Sequence, residues 1–526
     1  MVQHLICLAL ILALLLPAPA AVTATPATTQ FIFPEPEATS RLLARSRTTF
    51  KAYQNRGSLM IRNAGASSAD IFINGRRLDA AAVFASPDTA VVFDISDYTV
   101  NGVNTLKAVN LTPAGSHIVI QIPYPELARG EPEAAGFSAA KLAEIDKLID
   151  REVKAGFPGA VLLIVKDGLI IKETAYGWRQ LYDGVSRLDK PPAMTTDTLF
   201  DLASNTKAFA VNLALQKLVS EGAVRLDAAV SDYLPDFRGN SRETITLRQL
   251  LTHSAGFAPE VRFFDPVQKA SGLYARDPAS TRALLSRIPL AYRPGEKAVY
   301  SDTNYIILGF IIETVSGQPL DRYVETKIYQ PLGLWHILFN PLQKGFRPNQ
   351  FAATERLGNS RDGRVGFPGI RRHTLRGEVH DEKAFYSLGG VSGHAGLFAR
   401  AYDLAVLAQT LLNGGGYSGY RLCDEATLQQ FTKPSDSDLH YGLGWDKNNI
   451  WQFGPYASPQ TIGHTGWTGT AVTIDPAHDL AIILLTNKIH APVAAERDHF
   501  TTAGFETGKY GSIMSLVYEA FLENRR

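Results

Sequence analysis

Two pairs of short apolar runs, placed at either end of one long stretch, constrain this chain more than any other feature. Ala160 to Val165 and Leu169 to Thr174 are joined by Lys166-Asp167-Gly168 and read as a hairpin. Ala471 to Ile474 and Leu480 to Leu485 read as a second pair of strands. Between the pairs, from about 200 to 430, the pattern is largely helices and loops. Strands at both ends with helices between them predict one antiparallel sheet flanked by helices, plus a helical subdomain: an α+β fold. A helix is expected before the first pair, with Ser138 as N-cap, Leu142, Ile145, Leu148, Ile149 and Val153 on its inner face, and Gly156-Phe157-Pro158 as its stop. A last helix is expected near Ser512 to Leu522.

The segment ahead of this domain differs in texture. Ser58 to Arg62, Asp70 to Ile73, Ala90 to Ile95, Thr105 to Leu111 and His117 to Ile122 are short β-rich runs, and Asn74-Gly75 and Asn101-Gly102 between them are tight-turn signals. They predict a small β-sandwich over 46–124, with Pro123, Pro125 and Pro132 marking the boundary to a domain over 133–526. No motif states what the sandwich does; a wall-binding role and a plain spacer both fit. Residues 21–45 are rich in Thr, Ala and Pro and read as a flexible tether. The apolar run Leu5 to Leu16, followed by Pro17-Ala18-Pro19-Ala20, reads as an export signal over 1–20. A periplasmic protein is expected, held to the inner membrane only if that segment stays uncleaved. Cleavage leaves Cys423 as the sole cysteine, so neither an internal disulfide nor a thiolate metal cluster supports the fold.

Charge excludes one class of partner. Lys plus Arg total 52 against 51 Asp plus Glu, so no net field draws nucleic acid or an anionic surface. Function must come from a site, and three separated stretches offer one.

The first is Leu202-Ala203-Ser204-Asn205-Thr206-Lys207. If Ser204 opens a helix, Lys207 lies one turn on along the same face, where its amine reaches the hydroxyl. A serine hydroxyl needs a base to become a nucleophile, and a lysine whose pKa is lowered by burial can be that base. Alone, the pattern also describes a capped helix with a solvated lysine. The second stretch, Pro294 to Asp302, places Tyr300 at a turn before an apolar helix, where a phenol can relay the serine proton or simply anchor the loop. The third, Gly463-His464-Thr465-Gly466-Trp467-Thr468-Gly469-Thr470, puts small residues beside a strand, so that a substrate backbone can lie along the edge while Thr465 binds a carbonyl or carboxylate; a glycine-rich hairpin is its structural alternative.

Taken in order, Ser-x-x-Lys, a Tyr-x-Asn-like turn and a His-Thr-Gly strand resemble the serine β-lactamase and penicillin-binding protein family. Leu250-Leu251-Thr252-His253-Ser254-Ala255-Gly256-Phe257 and Tyr300 to Tyr305 are similar to its class C branch, and Gly377 to Ala384 and Gly389 to Phe398 extend the likeness from about 133 to the C-terminus. The resemblance implies the β-lactamase/transpeptidase fold and an acyl-enzyme mechanism. In it Ser204 is the nucleophile, Lys207 and Tyr300 handle protons, and Asp302, His464, Thr465, Gly466 and Trp467 bind substrate. The backbone amides of Ser204 and Trp467 would form the oxyanion site. It implies a peptidoglycan stem peptide or another small amide or ester as substrate, β-lactams as acylating ligands, and no cofactor or metal. The activity expected is that of a weak D-alanyl-D-alanine carboxypeptidase; a broad esterase, an exo-acting muramoyl-alanine amidase and a penicillin sensor that scarcely turns over remain open.

Two departures from the family pattern stand out. Asp302 occupies the usual Asn position, and a carboxylate near Lys207 would favour the ammonium and shift the base role toward Tyr300. His464 replaces the commoner lysine, removing a fixed charge that would hold a substrate carboxylate. His380-Asp381-Glu382 with His394 and His464 includes metal-ligand types, but three consecutive residues chelate poorly, and a loop network lining the cleft is the expectation.

Overall fold

The computed structural model describes residues 29–33, 47–85, 88, 90–433, 441–494 and 499–522. Its N-terminal strands are β1 (Thr29–Phe33), β2 (Arg47–Ala52), β3 (Ser58–Ala64), β4 (Ser68–Ile73), β5 (Arg76–Leu78), β6 (Ala90–Asp94), β7 (Gly102–Thr112) and β8 (His117–Ile122). They form two four-stranded sheets, in the orders β1-β8-β3-β6 and β2-β7-β4-β5. Alternation chooses the faces: in β3, Leu59 and Ile61 are buried while Arg62 is exposed. Leu59, Ile61, Ile118 and Ile120 of one sheet share a core with Phe50, Ile71, Ile73 and Leu106 of the other. Asn74 and Gly75 join β4 to β5 with φ of +50° and +80°, the two positive values that a two-residue hairpin turn requires.

The tether expected over 21–45 is interrupted. Thr29–Phe33 pairs antiparallel with β8, Thr29 opposite Ile122 and Phe33 opposite Ile118. The run Phe31-Ile32-Phe33 has the β-forming residues for this, which the surrounding Thr, Ala and Pro obscured. The export signal over 1–20 lies outside the described residues, as does the rest of the tether.

The second domain is built on β9 (Ala128–Arg129), β10 (Gly159–Lys166), β11 (Leu169–Gly177), β12 (Ile462–Gly466), β13 (Thr470–Asp475) and β14 (Leu480–Thr486). They form one sheet in the order β12-β13-β14-β10-β11-β9, antiparallel except where β9 meets β11. Helices α1 (Ala139–Lys154), α2 (Leu213–Ser220), α3 (Asp302–Ser316), α4 (Glu382–Leu388), α5 (Ala401–Leu412) and α6 (Gly511–Leu522) surround it. Ser138 caps α1, its hydroxyl accepting from the Lys141 amide. Every residue of β10 is buried, and alternate ones serve opposite faces. Ala160, Leu162 and Ile164 pack with α1 and α6, whereas Val161, Leu163 and Val165 join the larger core that includes α2, α3 and α5. The central strand reads as continuously apolar because it has no solvent face.

The sandwich is docked to this sheet by specific contacts. Lys51 Nζ donates to the Leu412 carbonyl at 2.8 Å and to Asp479 at 2.9 Å, and Tyr53 shares its hydroxyl with Gln409 at 2.7 Å. Arg56 donates to the carbonyls of Asp167 and Gly168 in the β10–β11 turn. Asp167 and Asp479 lie at one end of the sheet and the β12–β13 turn at the other, the length of six-residue β13 away, roughly 20 Å. Gly168 has φ of +66°, and a Cβ there would sit 2.4 Å from the buried Tyr53 ring. Gly168→Ala is therefore expected to lower stability by about 1–3 kcal/mol through overpacking and backbone strain, measured by denaturant unfolding; an unchanged midpoint would mean the sandwich is not pressed against this turn.

Candidate active site

Ser204 is presented by a strained turn. The strand Phe200–Asp201 ends beneath it, and the buried Asp201 carboxylate accepts the amides of Ala203 at 2.8 Å and His380 at 2.6 Å. Ala203 has φ of +45°, a conformation costly for a residue with a Cβ and held here by Asp201. Burial pushes the Asp201 carboxyl up to about 6, against the two amide bonds that favour its charged form. The chain then turns into a helix whose Lys207–Asn212 portion is π-helical before α2. Lys207, fully buried, lies one turn after Ser204 and points back at it.

The three proton-handling candidates meet. Lys207 Nζ is 2.9 Å from Ser204 Oγ and 3.2 Å from the His394 carbonyl. Tyr300 lines the same cavity as Ser204, and its ring lies 4.7 Å from Lys207 Nζ. His253 steadies this tyrosine: its ring is 4.6 Å from that of Tyr300, and its Nδ1 accepts the Ser301 amide at 3.0 Å. The Leu250 to Phe257 motif thus places His253 behind the site.

Asp302, expected to bind substrate, lies beneath Lys207, at 2.8 Å through Oδ1, and 3.3 Å from Lys383 through Oδ2. As the first residue of α3 it turns toward the buried amines rather than toward solvent. Lys383 also pairs with Asp381 at 3.1 Å and Glu260 at 2.9 Å, and Asp381 binds His394 at 2.8 Å. Asp302, Asp381 and His394 bring ligand-type atoms within 4.8 Å of one another, but Lys207 and Lys383 already pair with both carboxylates.

This network alters the proton balance expected from Asp302 alone. Burial lowers the Lys207 pKa, and although Asp302 opposes that, the net shift is downward. Burial would raise Asp302, but Lys207 and Lys383 outweigh it and hold the carboxyl well below its ordinary range. Lys383 is itself pushed well above its ordinary value: Asp381, Asp302 and Glu260 overcome its burial. Tyr300 goes the other way from a base, because burial and then Asp302 raise its phenol well above 10. Burial therefore works on Lys207 against the pull of Asp302, and it also favours the protonated form of Tyr300.

The cavity above these groups, about 570 Å³, is lined by Ser204, Tyr300, His464, Thr465, Gly466 and Trp467, together with residues absent from any motif: Tyr441, Asp446, Trp451, Lys488 and Tyr510. β12 is the edge strand that bounds it. The β12–β13 turn is stitched to the serine turn: Thr468 donates to the Asp201 carbonyl at 2.6 Å, Thr470 to the Leu202 carbonyl at 3.1 Å, and Asn205 to Thr470 at 2.9 Å. Gly466 must be glycine, because a Cβ would lie 2.3 Å from the Leu202 carbonyl oxygen. His464 is buried with Nδ1 2.7 Å from the Thr465 carbonyl, so Nδ1 carries the proton, and burial lowers its pKa to about 3. It brings no charge near neutral pH. Asp446, opposite Gly463, is raised by burial to about 7.

A family model described as Beta-lactamase matches residues 145–503. The chain is 50% identical over 401 residues to the N-acetylmuramyl-L-alanine amidase of Bacillus subtilis (strain 168), covering 74% of this chain and 91% of that protein. It is 49% identical over 411 residues to the Escherichia coli (strain K12) protein named "Putative D-alanyl-D-alanine carboxypeptidase", covering 76% and 94% respectively. Among solved structures, the octameric penicillin-binding protein homologue from Pyrococcus abyssi superposes with a TM-score of 0.52 at 22% identity, over 72% of this chain and 77% of that one.

Proposed function

Since this chain belongs to the beta-lactamase family and is a serine-type hydrolase of it, we propose the following division of labour within its site. The neutral amine of Lys207 takes the Ser204 proton, and Oγ attacks an amide or ester carbonyl. The backbone amides of Ser204 and Trp467 stabilise the oxyanion. Tyr300, which stays protonated, passes a proton from Lys207 to the departing nitrogen or oxygen, and water then releases the acyl group from Ser204 by the reverse relay. The 2.9 Å contact between Ser204 Oγ and a buried lysine amine at the cavity wall carries this reading.

The substrate is a cell-wall peptide, with its backbone laid along β12 and gripped by Thr465. The preferred reaction is removal of a terminal D-alanine; release of the stem peptide from muramic acid is the second reading, supported by the 50% identity to an amidase. Purified protein given a D-alanyl-D-alanine peptide, a muropeptide and a nitrophenyl ester decides between them. Free D-alanine supports the first reading, an intact free stem peptide the second, and ester hydrolysis alone removes both. β-Lactams are expected to acylate Ser204 as substrate analogues; a fluorescent penicillin that labels Ser204→Ala as strongly as the unmodified chain would contradict this.

We further place the protein in the periplasm, a location supported by the apolar run Leu5 to Leu16. Among the described residues no helix is long and apolar enough to cross a membrane. Cell fractionation, with N-terminal sequencing of the mature chain, tests both export and cleavage.

A further inference from the structure

The cavity contains a cation that its edge strand lacks. Lys488 lies two residues past the end of β14, and its side chain lines the cavity beside Gly466 and Trp467. Nζ donates to the Gly508 carbonyl at 3.1 Å and lies 4.1 Å from the centre of the Tyr510 ring. Tyr510 in turn donates its hydroxyl to the Gly466 carbonyl at 3.2 Å, so the amine is fixed relative to the strand that would take the substrate. Trp451 braces the same ring edge-on at 5.4 Å.

What sets Lys488 apart is its missing counter-ion. Lys509 lines the same cavity, but Glu506 neutralises it at 2.6 Å. No carboxylate among the described residues pairs with Lys488. One carbonyl and one aromatic face leave a proton of the ammonium unclaimed. A half-buried ammonium without an anion is unfavourable unless a ligand supplies one. Burial lowers its pKa to about 8, which leaves it mostly charged near neutrality.

We propose that Lys488, held by Tyr510 and Gly508, is the anchor for a carboxylate of the substrate and supplies the positive charge that the neutral His464 does not. A peptide with a free C-terminal carboxylate next to the scissile amide is the class of substrate that such an anchor selects. The inference rests on the reading of this cavity as the substrate site of the hydrolase.

Binding to the full-length Ser204→Ala protein tests it without turnover. Calorimetry at pH 7 compares N-acetyl-D-alanyl-D-alanine with its C-terminal carboxamide. The carboxylate is expected to bind at least about tenfold more tightly, as a charge-assisted contact would require. Adding Lys488→Met should abolish the preference, and adding Lys488→Arg should keep it; melting temperatures identify any variant that does not fold. Equal affinities in the protein with Lys488 intact, undetectable binding of the carboxylate, or a preference that survives Lys488→Met would each overturn the proposal. Hydrolysis of nitrophenyl acetate by the unmodified chain tests the serine-hydrolase reading separately, so the two can fail independently.

Discussion

Ser204→Ala is expected to reduce kcat/KM on any accepted ester or peptide by about a thousandfold or more. In the proposed reaction this hydroxyl supplies the atom that bonds to substrate. Ser204 is half-buried, and loss of Oγ leaves a small gap next to Lys207 but breaks no core packing, so the melting temperature should stay within a few degrees. Lys207→Ala should approach the same loss, because serine and lysine act as one unit. The double variant should then be hardly slower than either single one, since groups that work jointly lose their contribution together. Losses that multiply would show that Lys207 acts on something other than the serine proton.

The second large effect concerns Lys383, which touches neither Ser204 nor the cavity. It shares Asp302 with Lys207, at 3.3 Å and 2.8 Å respectively. In Lys383→Met, Asp302 pairs with Lys207 alone, and the ammonium form of Lys207 gains stability. A base whose pKa rises is deprotonated in a smaller fraction at any given pH. The acid limb of kcat/KM should therefore move to higher pH by about one to two units, and activity at pH 7 should fall about 10- to 100-fold. Activity should recover as pH rises through the new limb. Asp302→Asn removes the competing carboxylate, so its acid limb should move toward lower pH. Profiles that move in the same direction in both variants would show that the two cations do not compete for Asp302.

The parts of this site that were readable from sequence are those in which neighbours along the chain do the work. Ser204 and Lys207 are one helical turn apart, and the glycines and threonines around His464 lie in a single strand and turn, so each stretch is visible by itself, and the order of the three carries the resemblance that gives them roles. Tyr300 was found because it precedes an apolar helix within a recognisable motif. Lys383 was not, because its role comes from contacts with Glu260 and Asp302, which tertiary folding brings from separate segments. His380-Asp381-Glu382 drew attention as a polar run, yet its residues diverge: His380 reaches Glu355, and Asp381 reaches His394 and Lys383. Lys488 and Tyr510 follow a strand and a loop with no motif, and only the closure of residues 499–510 over the end of β14 brings them to the cavity. At the level of the fold, the apolar run Ala160 to Val165 within β10 announced the sheet. The edge strand Thr29–Phe33 stayed hidden because a five-residue run is outweighed by the Thr, Ala and Pro around it.

The claim that all of this depends on is a covalent bond to one oxygen. Acid quenching during turnover of a slow nitrophenyl ester, followed by proteolysis and mass spectrometry, reads it directly. The account predicts a mass increase equal to the acyl group on the peptide containing Ser204, localised to that residue and absent from Ser204→Ala. Turnover with the acyl group found on another side chain, or undiminished turnover by Ser204→Ala, would contradict it.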